Sequence, residues 1–220
     1  MNYSTFIFDF DYTLADATNG IVDCFHYAFD KMNIPRADRE EIRLCIGMTL
    51  ADSLTRLTGI DDKDKTDLFL DLYREEAERI MTANTVMLSG AKETLIKLHK
   101  SGKRLGIVTT KRRIRIEQTF EIEGLTDSVS VIVGGDDVSS AKPDPSGLLY
   151  AIKALGEEKE HVLYVGDSVI DAMTALNAGV DFCAVLTGTT KKETFLKYPY
   201  KYIFDSVAGL IDFNNIYAQN

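Results

Sequence analysis

Cysteine is too scarce to staple this chain. There are three in 220 residues, Cys24, Cys45 and Cys183, and they are widely spaced. An odd, sparse set excludes a disulfide framework and a cysteine-based zinc site, so the expectation is reduced thiols acting as small buried hydrophobes. Histidine is equally thin: His26, His99 and His161 stand singly, which argues against a histidine metal centre. Positive charge is short as well, with 25 Lys and Arg against 34 Asp and Glu, a net charge of −9. A nucleic-acid partner would demand a basic face, and none is expected here. A small anionic substrate remains open, because one metal ion and one or two lysines suffice for it. There is no apolar run long enough to span a bilayer, and no basic segment followed by an apolar core at the amino terminus. The expectation is a cytoplasmic protein with no membrane partner. Repeats and low-complexity segments are also missing, and with 45% apolar residues and only 4 prolines disorder is not expected.

What the chain does have begins at its amino terminus. Phe6-Ile7-Phe8 reads as a strand buried on both faces, and it runs straight into Asp9 and Asp11. Two acids at that point cannot be core; they belong in a crevice facing water, a metal or a substrate. In open α/β sheets that crevice lies outside the carboxyl ends of the strands. The next stretch turns helical. Ile21, Cys24, Phe25, Ala28, Phe29 and Met32 form one apolar stripe, with Asp16 or Thr18 as the expected N-cap. Further helix is predicted over about 37–46, 50–57 and 62–81, with no strand pattern between residues 15 and 85. That predicts a helical insert of roughly seventy residues, the size of a small domain. From Met87 strand and helix alternate, with strands predicted at 104–110, 128–134, 161–166, 181–186 and 202–204. The intervening helices are predicted at 89–100 with Ser89 as cap, 114–121, 146–155 and 168–177, and a last one at 207–213. Such alternation predicts a parallel sheet with helices on both faces.

Parallel strands deliver their ends to one edge, and here several carry reactive groups. They bring Asp9 and Asp11, the pair Thr109-Thr110, Lys142 before Pro143, and Asp167 and Asp171 in Gly166-Asp167-Ser168-Val169-Ile170-Asp171. The inventory is a carboxylate nucleophile, a second carboxylate for proton transfer, hydroxyl donors, a lysine and two more acids. Acids gathered this closely repel one another unless a cation sits among them, and an all-oxygen donor set points to Mg²⁺.

These motifs, in this order, resemble the haloacid dehalogenase superfamily of phosphotransferases. Asp9-Phe10-Asp11-Tyr12-Thr13 is similar to its DxDxT motif, Thr109 to its strand-end Ser or Thr, Lys142 to its third motif, and Asp167 with Asp171 to GDxxxD. Within the superfamily the chain is most similar to phosphoglycolate phosphatases and their relatives, among them pyrophosphatases and β-phosphoglucomutases. The resemblance implies a Rossmann-like α/β core over 1–15 and 87–220 and an inserted all-helical cap over 16–86. Hinges are then expected near residues 15–18 and 86–89. It implies hydrolysis of a small phosphate monoester, phosphoglycolate first, with a pyrophosphatase or a sugar phosphate mutase as alternatives. Asp9 would be the nucleophile and Asp11 the acid and base. Thr109, Thr110 and Lys142 would hold phosphoryl oxygens, with Lys142 also restraining Asp9. Mg²⁺ would be held by Asp9, Asp11 through its carbonyl, Asp167 and Asp171, and Thr13 would shape the turn that aims Asp11.

Some positions depart from the family pattern: Tyr12 stands where Gly is usual and Ala17 where Ser is frequent. Gly47-Met48-Thr49-Leu50-Ala51-Asp52 is similar to the cap's substrate-facing loop, and it lacks the basic residue that β-phosphoglucomutases usually carry near Leu50. Other residues have plainer readings. Asp171 alone reads as a solvated acid one turn beyond Asp167, and Ser168 as a helix cap. The basic run from Lys111 to Arg115 reads as a solvated helix face, with Lys111 nearest to substrate. Asp136 and Asp137 read as turn residues, and Arg43 and Arg56 as surface charges.

Overall fold

The computed structural model describes residues 3–211. The chain divides into two compact units, Met1–Ala15 with Met87–Asn220, and Asp16–Val86.

The first unit is built on a six-stranded sheet whose paired strands are all parallel. Strand β1 (Thr5–Phe8) is followed by a two-residue strand β2 (Ala15–Asp16), which pairs with β3 (Val86–Met87) where the chain leaves and re-enters this unit. Then come α5 (Ala91–Lys100), β4 (Arg104–Val108), α6 (Arg113–Glu123), β5 (Val131–Val133), α7 (Ser146–Ala154), β6 (Val162–Gly166), α8 (Val169–Ala178), β7 (Asp181–Val185), α9 (Lys192–Phe195) and β8 (Tyr202–Phe204). The four α-helices that precede α5 in the chain belong to the second unit. The order β5-β4-β1-β6-β7-β8 places β1 between β4 and β6, and the direction of winding reverses there. Such a reversal opens a crevice at the carboxyl ends of the strands.

Alternation along each strand explains both packed faces. Phe6, Phe8, Leu105, Ile107, Leu163 and Val165 pack on one face with Ala91, Leu95, Leu98, Ile116 and Phe120. Ile7, Val108 and Tyr164 pack on the other with Leu148, Ala151, Ile152, Ala172 and Ala175. β1 is buried along its whole length, as its uninterrupted apolar run requires.

The second unit holds α1 (Thr18–Lys31), α2 (Arg39–Arg43), α3 (Leu50–Thr58) and α4 (Lys63–Ile80). Phe25 is the hub of its core, with ring centroids 5.8 Å from Phe29, 5.3 Å from Phe69 and 5.4 Å from Tyr73. Phe69 is fully buried, and truncating such a ring costs about 3–5 kcal/mol.

The structure corrects several expectations. The second predicted helix spans only Arg39–Arg43, because Asp38 closes a capping box with Glu41 and starts it late. Ser89 does not cap α5; Gly90 does, at φ 79°, a conformation only glycine adopts without strain. The N-cap of α1 is Ala17, while Asp16 accepts the Thr18 N–H at 2.8 Å from one residue earlier. The predicted last helix, 207–213, runs past the described residues. Among the described residues no helix is long and apolar enough to cross a membrane.

Candidate active site

The turn after β1 is wound around one carbonyl. Phe10 O accepts from Thr13, Leu14 and Ala15 N–H at 3.3, 2.9 and 3.1 Å. Tyr12 pays for that tightness with φ 61°, in the left-handed region. Two contacts hold it there: Tyr12 N–H donates to Ala15 O at 2.7 Å, and Thr187 Oγ1 donates to Tyr12 O. The turn sends Asp9 and Asp11 in different directions.

Asp9 joins a buried cluster. Lys142 Nζ stands 2.6 Å from Asp9 Oδ1, 2.6 Å from Asp171 Oδ1 and 3.3 Å from the Tyr164 hydroxyl. An ammonium has three hydrogens, and all three are used inside the protein. The Tyr164 hydroxyl also lies 3.0 Å from Asp171 Oδ1 and 3.2 Å from Val108 O. Asp171 Oδ2 accepts from the Ser168 hydroxyl at 2.6 Å and from its N–H at 3.1 Å, the capping box that opens α8. Asp171 is therefore not a solvated acid: its side chain is 1% exposed, and four donors surround its two oxygens. Gly166 makes the approach possible, since a Cβ there would lie 2.5 Å from the Asp171 side chain.

Carboxylate oxygens of Asp9, Asp167 and Asp171 come within 4.8 Å of one another. Asp167 Oδ1 accepts from Thr13 Oγ1 at 3.2 Å. Gly188 leaves room for it, because a Cβ there would sit 1.8 Å from Asp167 Oδ2. Three carboxylates and one ammonium leave the cluster two negative charges in surplus. Burial pushes the Asp9 carboxyl up to about 7; Lys142 opposes the rise and Asp171 adds to it. Burial, with Asp171 and Asp9, also holds Asp167 well above the usual carboxylate range. Lys142 is lowered by burial, but Asp171 and Asp9 outweigh that and hold it well above its usual value. A divalent cation among these oxygens would reverse the carboxylate shifts, and hard oxygen donors with surplus charge suit Mg²⁺.

Asp11 does not join the trio. Its carboxylate meets Lys111 Nζ at 3.0 and 3.1 Å. Lys111 is thus not part of a solvated face, and neither is Arg115, which is buried at 4% exposure with its guanidinium on Gln118; Arg112 stays exposed and Arg113 partly so, as expected. Arg113 pairs with Asp137 at 2.9 Å and Arg112 with Asp136 at 3.5 Å. Asp136 and Asp137 also accept backbone N–H groups of Arg113 and Gly134, so they shape the loop as expected. Thr109 ends β4, 4% exposed, with its N–H on Val133 O. Thr109, Thr110 and Lys142 line one small cavity beside Gly134 and Gly135. The Lys142–Pro143 bond is cis.

Tyr164, Thr187 and Gly188 carry no signal in the sequence that sets them apart. A tyrosine inside an apolar strand reads as core, and the loop of Thr187 and Gly188 resembles any polar connection.

A Rossmann-like parallel sheet gathers these acids and a lysine at its winding reversal, where open α/β sheets bind their ligands. The haloacid dehalogenase-like hydrolase family profile matches residues 6–185, and the chain belongs to that family. It is 31% identical to the pyrophosphatase PpaX of Halalkalibacterium halodurans, covering 100% of both chains, and 31% identical to that of Oceanobacillus iheyensis, covering 96% of each. Among solved structures, a Bacteroides fragilis protein described as a haloacid dehalogenase-like hydrolase superposes with a TM-score of 0.92. It is 42% identical, over 95% of this chain and 100% of that one. A Streptococcus pneumoniae hydrolase of the same family shares the fold, with a TM-score of 0.85 at 22% identity, over 96% of this chain and 98% of that one.

Proposed function

We propose that the protein is a Mg²⁺-dependent phosphatase that hydrolyses a small phosphate ester through an aspartyl-phosphate. The observation that carries this reading is the Asp9 carboxylate, buried against Lys142 with Asp167 and Asp171 within reach of one ion. Asp9 attacks phosphorus, forming an aspartyl-phosphate as the leaving oxygen departs. Asp11 gives that oxygen a proton, then takes one from the water that attacks the intermediate. Lys142 keeps Asp9 aimed and, by releasing Tyr164, its longest contact, frees one N–H for a phosphoryl oxygen. Thr109 and Thr110 bind the remaining phosphoryl oxygens. Mg²⁺ would be held by Asp9, Asp167 and the Asp11 carbonyl, with Asp171 close by holding Lys142 and Ser168, and it would supply the charge that cancels repulsion between Asp9 and the phosphoryl group. The helical unit Asp16–Val86 is assigned the role of cap.

A second reading is favoured by the curated relatives matched along the whole chain, which are named pyrophosphatases. In that case the leaving group is phosphate, and the same Asp9 chemistry applies. Phosphate release from a panel of phosphoglycolate, sugar phosphates and pyrophosphate, with Mg²⁺ present, separates the two. A tenfold or larger preference in kcat/KM for pyrophosphate selects the second, and the converse preference the first. A panel from which no phosphate is released refutes both, and isomerisation of a hexose phosphate then assigns a mutase.

A further inference from the structure

We infer that Lys111 is a positioning residue for Asp11, acting on proton transfer through that carboxylate and not on the phosphoryl group. The inference rests on the acid and base role proposed for Asp11.

Lys111 is pinned at both ends. Its backbone N–H donates to Thr109 Oγ1 at 3.2 Å, and its carbonyl accepts Gly135 N–H at 2.9 Å. Its side chain is 9% exposed and that of Asp11 is 11% exposed, so the pair is sheltered from solvent. The near-equal contacts, 3.0 and 3.1 Å, engage both carboxylate oxygens from a residue one hundred positions away in the chain. A single contact leaves a carboxylate free to rotate about its last bond; contact with both oxygens fixes that rotation. Asp11 needs such help, because it sits on a turn whose neighbour Tyr12 is already in the left-handed region. Proton transfer requires heavy-atom separations of about 2.6–3.2 Å, and a misplacement of about 1 Å costs roughly a hundredfold. The other basic side chains nearby are directed elsewhere, Arg112 and Arg113 to Asp136 and Asp137, and Arg115 to Gln118 at 2.9 Å.

A residue that acts through the acid should matter in proportion to how much the leaving group needs a proton. The test is kcat/KM with Mg²⁺ across aryl phosphates running from 2,4-dinitrophenyl phosphate to phenyl phosphate, for wild type, Lys111→Met, Lys111→Arg, Asp11→Asn and the Lys111→Met/Asp11→Asn double variant. Lys111→Met is expected to lose roughly a hundredfold on phenyl phosphate and less than about threefold on the dinitrophenyl ester. Lys111→Arg should recover part of the loss. In the double variant, Lys111→Met should add nothing to Asp11→Asn on either ester. A uniform loss across the series, no loss at all, or multiplicative losses in the double variant would each overturn the inference. If Asp11→Asn alone leaves the leaving-group dependence unchanged, the acid role of Asp11 fails, and non-additivity on phenyl phosphate still decides whether Lys111 and Asp11 act together. Near-wild-type melting of Lys111→Met and Lys111→Arg separates these effects from misfolding.

Discussion

At the amino edge of the sheet, Glu157 is surrounded by donors. Its carboxylate accepts from the hydroxyls of Ser4 and Thr5 and from the Arg104 guanidinium, which also reaches Leu155 O at 3.1 Å. At the carboxyl edge, Asp9 and Asp171 share the ammonium of Lys142, and Asp167 stands beside them within reach of the same ion. Both edges bury charge at the two ends of β1, beside the start of β4 at one and the end of β6 at the other. At the first edge every charge is matched. Burial pushes Glu157 up, but hydrogen bonds from Ser4, Thr5 and Arg104 outweigh it and hold the carboxyl at about 2. At the second edge the balance is left open, and burial drives Asp9 up to about 7 instead. A matched charge stabilises the fold; a surplus charge is unfavourable until something binds, and that makes a site.

Removing the proposed nucleophile should have the largest effect. Asp9→Asn is expected to lower turnover of p-nitrophenyl phosphate by at least ~10³-fold, with no loss of melting temperature when divalent ions are absent. Retained activity would break the assignment of the carboxyl edge. Next, Mg²⁺ should act on stability itself. At a hundredfold excess over its Kd it should raise the melting temperature by roughly 5–10 °C, EDTA should remove the gain, and Asp167→Asn should abolish it. An unchanged melting curve would mean that no ion relieves the surplus.

The amino edge should behave in the opposite sense. Glu157→Gln is expected to cost about 1–3 kcal/mol in denaturant titrations while leaving activity per folded molecule unchanged. Its pH dependence has a definite sign. The Glu157 pKa is depressed in the folded state, so its contribution is complete above the unfolded value of about 4.3 and is lost as pH falls through about 2. Stability measured between pH 5 and 2 should therefore fall more steeply in wild type than in Glu157→Gln. The smallest effect expected is that of Tyr164→Phe. Lys142 keeps both Asp9 and Asp171, so the loss is about 1 kcal/mol, read by the same titration.

Legibility in the sequence followed the same division. β1 and its two acids were readable because an apolar strand cannot end in carboxylates without a purpose. The parallel sheet was readable from the alternation after Met87. The gathering of Asp9, Lys142, Asp167 and Asp171 followed from parallel strands sharing an edge. Tyr164 was not readable, since its hydroxyl acts from within a packed strand and its ring does what any core ring does. Lys111 was hidden by Arg112 and Arg113, whose charges look the same in a string but end on different partners. The β2–β3 ladder and α9 have two and four residues, too few for periodicity to register.

The central position of β1 has a consequence for synthesis. Phe6 pairs with Leu105 on one side and Leu163 on the other, so the first strand made is flanked by neighbours made much later. The helical unit, Asp16–Val86, is contiguous and is complete before either neighbour appears. At elongation rates of about 5–20 residues per second β1 waits on the order of ten seconds for β6. Throughout that interval Phe6-Ile7-Phe8 is an unpaired, fully apolar strand on a nascent chain, and it is there that a chaperone has most to shield.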